Sequence, residues 1–314
     1  MNKISFPRVD IYNNQIVQKD LEDWYVDKIE SKIAFNLKNI SCSKKESINL
    51  DKIITDLKDI LLANPNKLKD YSTIYKDIFT PRTKQAICNA FSYETHRKDI
   101  LVELAEKINV KSCPYCNMSY TLIAKKANGE KLAKFQFDHF YNKRDYPMLS
   151  MSLYNLIPSC SVCNQGKSTG DLDIRFNPYY DSINDTFVFK VRNPIPLYTG
   201  KKKGDFIDID AIATSTSQKD IKDFDKYKET FHIETLYQRH GDVAKEIFDK
   251  AYLYPYINED DNFKMLPNYS KEYRKQLWLG TYRTKEDIEK RPLTKLKQDL
   301  WEQATQFWHS KEDF

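Results

Sequence analysis

The sequence predicts an α+β protein, and three observations predict it. Apolar residues recur at helical spacing through the first hundred residues. Alternating runs flank an Asn-Gly turn in the middle, and the last third mixes both patterns. At 314 residues the chain is long enough for more than one packed unit. It reads as a mostly helical region over 1–108, a cysteine-bounded core over 109–175 and a mixed α/β region over 176–314. Hydrophobic content of 40% with 30% charged residues suits a folded, soluble chain. No apolar run approaches bilayer length, and the opening MNKISFPRVDIYNN lacks the apolar stretch of a secretory signal. A cytoplasmic location with reduced thiols and no membrane partner is therefore expected.

In the first region Ile53, Ile54, Leu57, Ile60 and Leu61 repeat at helical spacing, as do Leu101, Leu104 and Ile108. Asn64-Pro65-Asn66 breaks one helix from the next, and Thr80-Pro81 reads as an N-cap with proline at the first helical position. In the middle, Ser119–Ala124 and Leu132–Phe137 read as two strands of a hairpin turned at Asn128-Gly129. A polar loop, a short apolar run over Tyr154–Ile157 and a short helix over Val162–Lys167 follow. In the last third, Phe187–Val191 and Phe206–Ile212 read as strands, with turns at Asn193-Pro194 and Pro196 and a basic cluster at Lys201–Lys203. Val243, Ala244, Ile247, Phe248 and Ala251 form one helical face. Leu293, Leu296, Leu300, Ala304 and Phe307 form another, in a helix opened by Pro292.

Charge and cysteine both concentrate in the core. Lys111–Ser168 carries eight basic residues against three acidic ones, which is the whole of the net charge of +5; the remaining 42 basic and 42 acidic residues cancel. A neutral body with one basic window fits a local polyanion site, although a charge run alone is more often a solvated face. Four of the six cysteines form two C-x-x-C pairs, Cys113/Cys116 and Cys160/Cys163, separated by 43 residues. Cys113-Pro114-Tyr115-Cys116 matches the redox tetrapeptide of glutaredoxins, but the Thr-Val-Pro loop and Gly-Gly pair that accompany it there are absent. Two thiolate pairs beside turn-forming residues suit one tetrahedral Zn²⁺ that clamps the ends of an insert. Cys42 and Cys88 read as small buried residues.

Within the insert, Asp138-His139 ends the second hairpin strand, Asn155 follows His139 by 16 residues, and Asn164 stands directly behind Cys163. In this arrangement the sequence resembles the HNH endonucleases, whose fold is a ββα-metal finger, and in particular their subgroup clamped by two cysteine pairs. The likeness covers about Cys113 to Ser168, with asparagine in place of the family's final histidine. It implies hydrolysis of DNA phosphodiester bonds to 5′-phosphate and 3′-hydroxyl ends. It implies His139 as general base, Asp138 and Asn164 as ligands of a catalytic Mg²⁺ or Mn²⁺, and Asn155 as the residue tying the loop. Lys143, Arg144 and Lys167 are expected on the nucleic-acid backbone. Nucleases of this type resemble effectors of bacterial anti-phage systems such as Septu and certain retrons, which implies a separate ATPase or sensor subunit as partner.

The chemistry asks for these residue types. An imidazole takes a proton near neutrality, and a hard cation with oxygen ligands neutralises phosphoryl charge. In a continuing strand, however, Asp138 and His139 point to opposite faces, so extended geometry is expected to end there. Gln165-Gly166-Lys167-Ser168 resembles the end of a P-loop, but position 161, where the first glycine belongs, is serine. Pro158-x-Cys160-x-x-Cys163 lacks the H-x-E that a zinc deaminase needs. The alternative is a non-catalytic zinc module that binds nucleic acid or protein with the same cysteines. DNA and RNA, and single and double strands, stay open as substrates.

Overall fold

The computed structural model describes residues 3–167, 176–182, 184–198, 207–258 and 269–309. It is a mixed α+β chain with four separate two-stranded antiparallel sheets among the described residues. The first pairs β1 (Arg8–Val9) with β2 (Gln15–Ile16). Asp10 closes the turn between them, accepting from the backbone N–H groups of Tyr12 and Asn14.

The N-terminal helices form around α1 (Gln18–Lys38), which buries Leu21, Tyr25, Ile29, Ile33 and Leu37, each four residues from the last. The apolar run at 53–61 makes two helices, α2 (Lys44–Thr55) and α3 (Leu57–Leu61), rather than one. A capping box starts α2, with Ser43 and Glu46 satisfying each other's backbone N–H. Glu46 also accepts from Thr80 N–H at 2.8 Å, so one carboxylate organises two helix starts. The proline signals act as expected: Asn64 caps α4 (Pro65–Ile74) and Thr80 caps α5 (Pro81–Phe91). Ser92 turns left-handed (φ 53°) into α6 (Tyr93–His96), and α7 (Ile100–Ile108) ends on left-handed Asn109.

The middle departs from the expected hairpin. The Asn128-Gly129 turn joins β3 (Ile123–Lys125) to β4 (Lys131–Ala133), with Gly129 at φ +86°. The chain then bends, and β5 (Gln136–His139) pairs instead with β6 (Leu156–Ser159). Phe135 and Phe137 explain the bend. They sit edge-to-face, both buried, so the chain leaves the solvent-facing hairpin, where Leu132 is exposed, and enters the core. After β6 comes α8 (Ser161–Lys167), packed on β5. Gly166 permits its close approach to the C-terminal region, because a Cβ there would lie 2.9 Å from the Thr230 carbonyl.

In the last region β7 (Phe187–Val191) and β8 (Ile209–Ala213) flank a short α9 (Ile195–Tyr198), where turns were expected. Lys201–Lys203 and Phe206 lie outside the described residues, so β8 is the described part of the expected second strand. Helices α10 (Gln218–Thr230), α11 (Ile233–Tyr237), α12 (Gly241–Asn258) and α13 (Lys271–Leu279) follow. The final helix, α14 (Thr294–His309), begins after a left-handed Leu293 rather than at Pro292. Its Asp299 and Gln303 accept from the N–H groups of Phe189 and Val191 at 2.9 Å each, covering the open edge of β7. Buried side chains from all three regions join one core cluster. Among the described residues, no helix is long and apolar enough to cross a membrane.

Candidate metal centre and the polar cluster beside it

The four cysteines of the two C-x-x-C pairs meet in a single buried group, with all four sulfurs within 4.8 Å of one another. The Cys116 and Cys160 sulfurs, one from each pair, are 3.8 Å apart. A tetrahedron with Zn–S bonds of ~2.3 Å has edges of about 3.8 Å, so the donor set and its spacing fit zinc. Thiol-to-thiol hydrogen bonds, led by that from Cys113, hold Cys160 far below the ordinary thiol range and push Cys163 well above it. A divalent cation resolves that conflict by stabilising all four thiolates.

The first knuckle is a tight turn. Asn117 N–H donates to the Cys113 carbonyl at 2.7 Å, Met118 N–H points at the Cys116 sulfur at 3.3 Å, and Asn117 is left-handed (φ 52°). The C-terminal region grips this turn. Tyr227 and Tyr237 donate their hydroxyls to the carbonyls of Tyr115 and Cys116. The Asn117 amide donates to Ser112 Oγ and to the carbonyls of Ile288 and Arg291, while its oxygen accepts from Lys295 N–H. The second knuckle opens α8, where Asn164 N–H bonds the Cys160 carbonyl.

The expected catalytic residues surround β5, but the strand does not end between Asp138 and His139. Asp138 pairs with Ile157 and His139 with Leu156, in continuous register. The two side chains consequently have different neighbours. Asp138 is 5% exposed and its Oδ2 accepts from Tyr115 Oη at 2.7 Å and from Lys167 Nζ at 2.6 Å. Lys167 was expected to reach phosphate. It is instead 7% exposed and also donates to the His139 carbonyl at 2.7 Å. Burial lowers its pKa, and the Asp138 charge and hydrogen bond oppose that shift. Burial keeps the Tyr115 hydroxyl protonated, well above its ordinary range.

His139 faces the other way. Its ring lies edge-on to Tyr93, with centroids 4.5 Å apart, and its Nε2 is 3.0 Å from the Ser150 carbonyl. Burial pulls its pKa down to about 4, against the raising effect of Asp138. Asn155 is fully buried and pins the loop after β5: Oδ1 accepts from Tyr141 N–H at 2.6 Å, and Nδ2 donates to the carbonyls of Tyr141 and Leu149.

Asn164 stands one turn before Lys167 on α8, and its amide donates to Gln136 Oε1. Gln136 and Asp138 alternate on one face of β5, so α8 lies along that face with two polar contacts. Asp138 and Asn164 thus both lie along the seam between β5 and α8, each with its own partner, Lys167 and Gln136 respectively. Lys143 forms an ion pair with Glu94 at 2.6 Å, and exposed Arg144 lies 3.5 Å from Asp145. Residues 168–175, including the end of the matched motif at Ser168, lie outside the described residues.

Four participants were not singled out from sequence. Gln136 was findable, two residues before Asp138 on an alternating strand. Tyr115 was hidden inside the first cysteine pair, Tyr93 comes from a distant helix, and Ser150 acts through a carbonyl, which carries no residue identity. No family model, no curated protein and no solved structure matches this chain.

Proposed function

We propose that the chain is a metal-dependent HNH endonuclease that hydrolyses DNA phosphodiester bonds, stapled by one structural Zn²⁺ on Cys113, Cys116, Cys160 and Cys163. The observation that carries this reading is the tautomer imposed on His139. A carbonyl only accepts, so Nε2 carries the proton toward Ser150 and Nδ1 keeps a lone pair. No protein partner contacts Nδ1 among the described residues. Burial lowers the His139 pKa to about 4, so the imidazole is neutral at neutral pH with its Nδ1 lone pair free; the same shift makes it a weaker base than an exposed imidazole, so the role rests on the geometry and not on the pKa.

The order β5, pinned loop, β6, α8 supports the reading as a ββα finger, with Asn155 in the loop-tying position. Asp138 and Asn164 would hold Mg²⁺ or Mn²⁺, which when bound supplies charge neutralisation at the phosphoryl oxygens and the leaving oxygen. Lys167, freed from Asp138, would turn to a phosphate oxygen, joining Lys143 and Arg144 on the backbone. A role as an anti-phage effector beside a separate ATPase belongs to the same reading. Full nuclease activity of the isolated chain, with no ATPase co-purifying from its native cells, counts against that partner.

One observation favours a second reading, a non-catalytic zinc module that binds nucleic acid or protein. The Asp138 carboxylate is already neutralised internally by Lys167. Plasmid nicking decides between the two. With Mg²⁺ or Mn²⁺ the wild-type chain nicks supercoiled DNA, and His139→Ala loses ~10²-fold or more, as expected for a proton-transfer group. Both proteins keep one zinc per chain. DNA binding without cleavage in any divalent metal establishes the module instead.

A further inference from the structure

A cavity of about 600 Å³ opens between α5 and the loop that follows β5, on the His139 side of the strand. One wall is a single stripe of α5, where Lys84, Gln85, Cys88 and Asn89 fall on neighbouring turns; Lys143 and Arg144 form the other. Tyr93 and Glu94 lie between the walls. The Tyr93 ring has the Lys143 ammonium at 4.6 Å from its centroid and the His139 ring at 4.5 Å. One aromatic ring therefore links the cavity to the imidazole.

The geometry points to this groove as the seat of a nucleotide unit of a single nucleic-acid strand, next to the bond presented to His139, an inference that rests on the nuclease reading. Three cations line the groove against Glu94, with Asp145 beside Arg144, so the remaining net positive charge favours an anion, and cations stand on both walls. Lys84 has no carboxylate partner among the described residues, which leaves its charge for the ligand. Gln85 and Asn89 hold each other at 2.9 Å, orienting amide groups toward a base edge. A volume of about 600 Å³ suits a single nucleotide unit. Glu94 occupies Lys143 at 2.6 Å, so it competes with the incoming phosphate for that ammonium.

The test uses the full zinc-loaded chain carrying His139→Ala, so that the probe stays intact, with a fluorescein-labelled thymidine oligonucleotide read by anisotropy. Lys84→Glu weakens binding ~10-fold and lowers the salt slope by about one. Glu94→Gln tightens binding by about threefold, because Lys143 is released. The oligonucleotide slows alkylation of Cys88, read by peptide mass. Competition by free thymidine monophosphate at equal nucleotide concentration assigns the groove to a free nucleotide, and competition only by oligonucleotide assigns it to a strand. Equal competition by a polyglutamate peptide overturns the nucleotide assignment. Affinities within twofold for both variants, with unchanged Cys88 alkylation, overturn the proposal even if the nicking assay succeeds. The expected shifts without nicking in any metal leave the groove standing and remove the nuclease.

Discussion

Two clusters lie along the same short helix, the sulfur group at the start of α8 and the Asp138 cluster at its end, and they are satisfied in opposite ways. The four sulfurs have one another and backbone N–H groups such as that of Met118 for polar company but no cation, and their thiols compete for ionisation. The buried Asp138 carboxylate has its cation already, the Lys167 ammonium, along with a hydroxyl from Tyr115. The difference teaches where metal contributes to folding and where it must compete. At the sulfurs an ion would complete the structure; at Asp138 any ion would first have to displace Lys167.

Removing a sulfur tests the first half and gives the largest effect. Cys163→Ser should lower zinc from one ion per chain to none and cut stability by about 5 kcal/mol or more, read by elemental analysis and denaturant unfolding. Because Tyr227, Tyr237 and Asn117 couple the first knuckle to the C-terminal region, loosening should reach α10 and α14 in hydrogen exchange. A Cys163→Ser chain that is still fully folded and protected there breaks the contrast.

Lys167→Met tests the second half. Stripping the cation from a buried carboxylate should cost about 3 kcal/mol in buffer free of Mg²⁺ and Mn²⁺. Mn²⁺ should then raise the melting temperature of the variant more than that of wild type, since the ion no longer competes with an ammonium. Equal melting temperatures with no response to Mn²⁺ would show that Asp138 is not a cation seat.

The smallest effect comes from His139. Its folded pKa of about 4 lies below the ~6.5 of a free imidazole, so the unfolded chain takes up the proton first. The stability it contributes is whole above pH ~6.5 and is lost as pH falls from there to about 4. His139→Gln should flatten the pH dependence of unfolding in that window alone. An unchanged slope would mean the imidazole is less secluded than its contacts with Tyr93 and Ser150 imply.

Much of the scaffold was readable in advance because its signals are local. Asn64-Pro65 and Thr80-Pro81 start helices through their own side chains and fixed φ, and the buried faces of α7 and α12 follow from spacing alone. The hairpin around Gly129 was readable too, but not its extent. Alternation tells which side a residue takes and not which strand lies beside it, so the run Leu132–Phe137 reads as one hairpin strand although β5 pairs with β6. The sequence places Lys167 on the nucleic-acid backbone, one helical turn beyond Asn164. Only packing against β5 shows that its stem is buried and its charge spent on Asp138.

By itself the sequence determined who joins the sulfur cage, since soft thiolates in paired spacing serve few other ends and need no distant neighbour to define them. The tertiary structure alone decided what Asp138, His139, Asn164 and Lys167 face. A polar group in a low-dielectric interior takes its role from whichever partner reaches it, and those partners come from strands, loops and helices far apart in the chain.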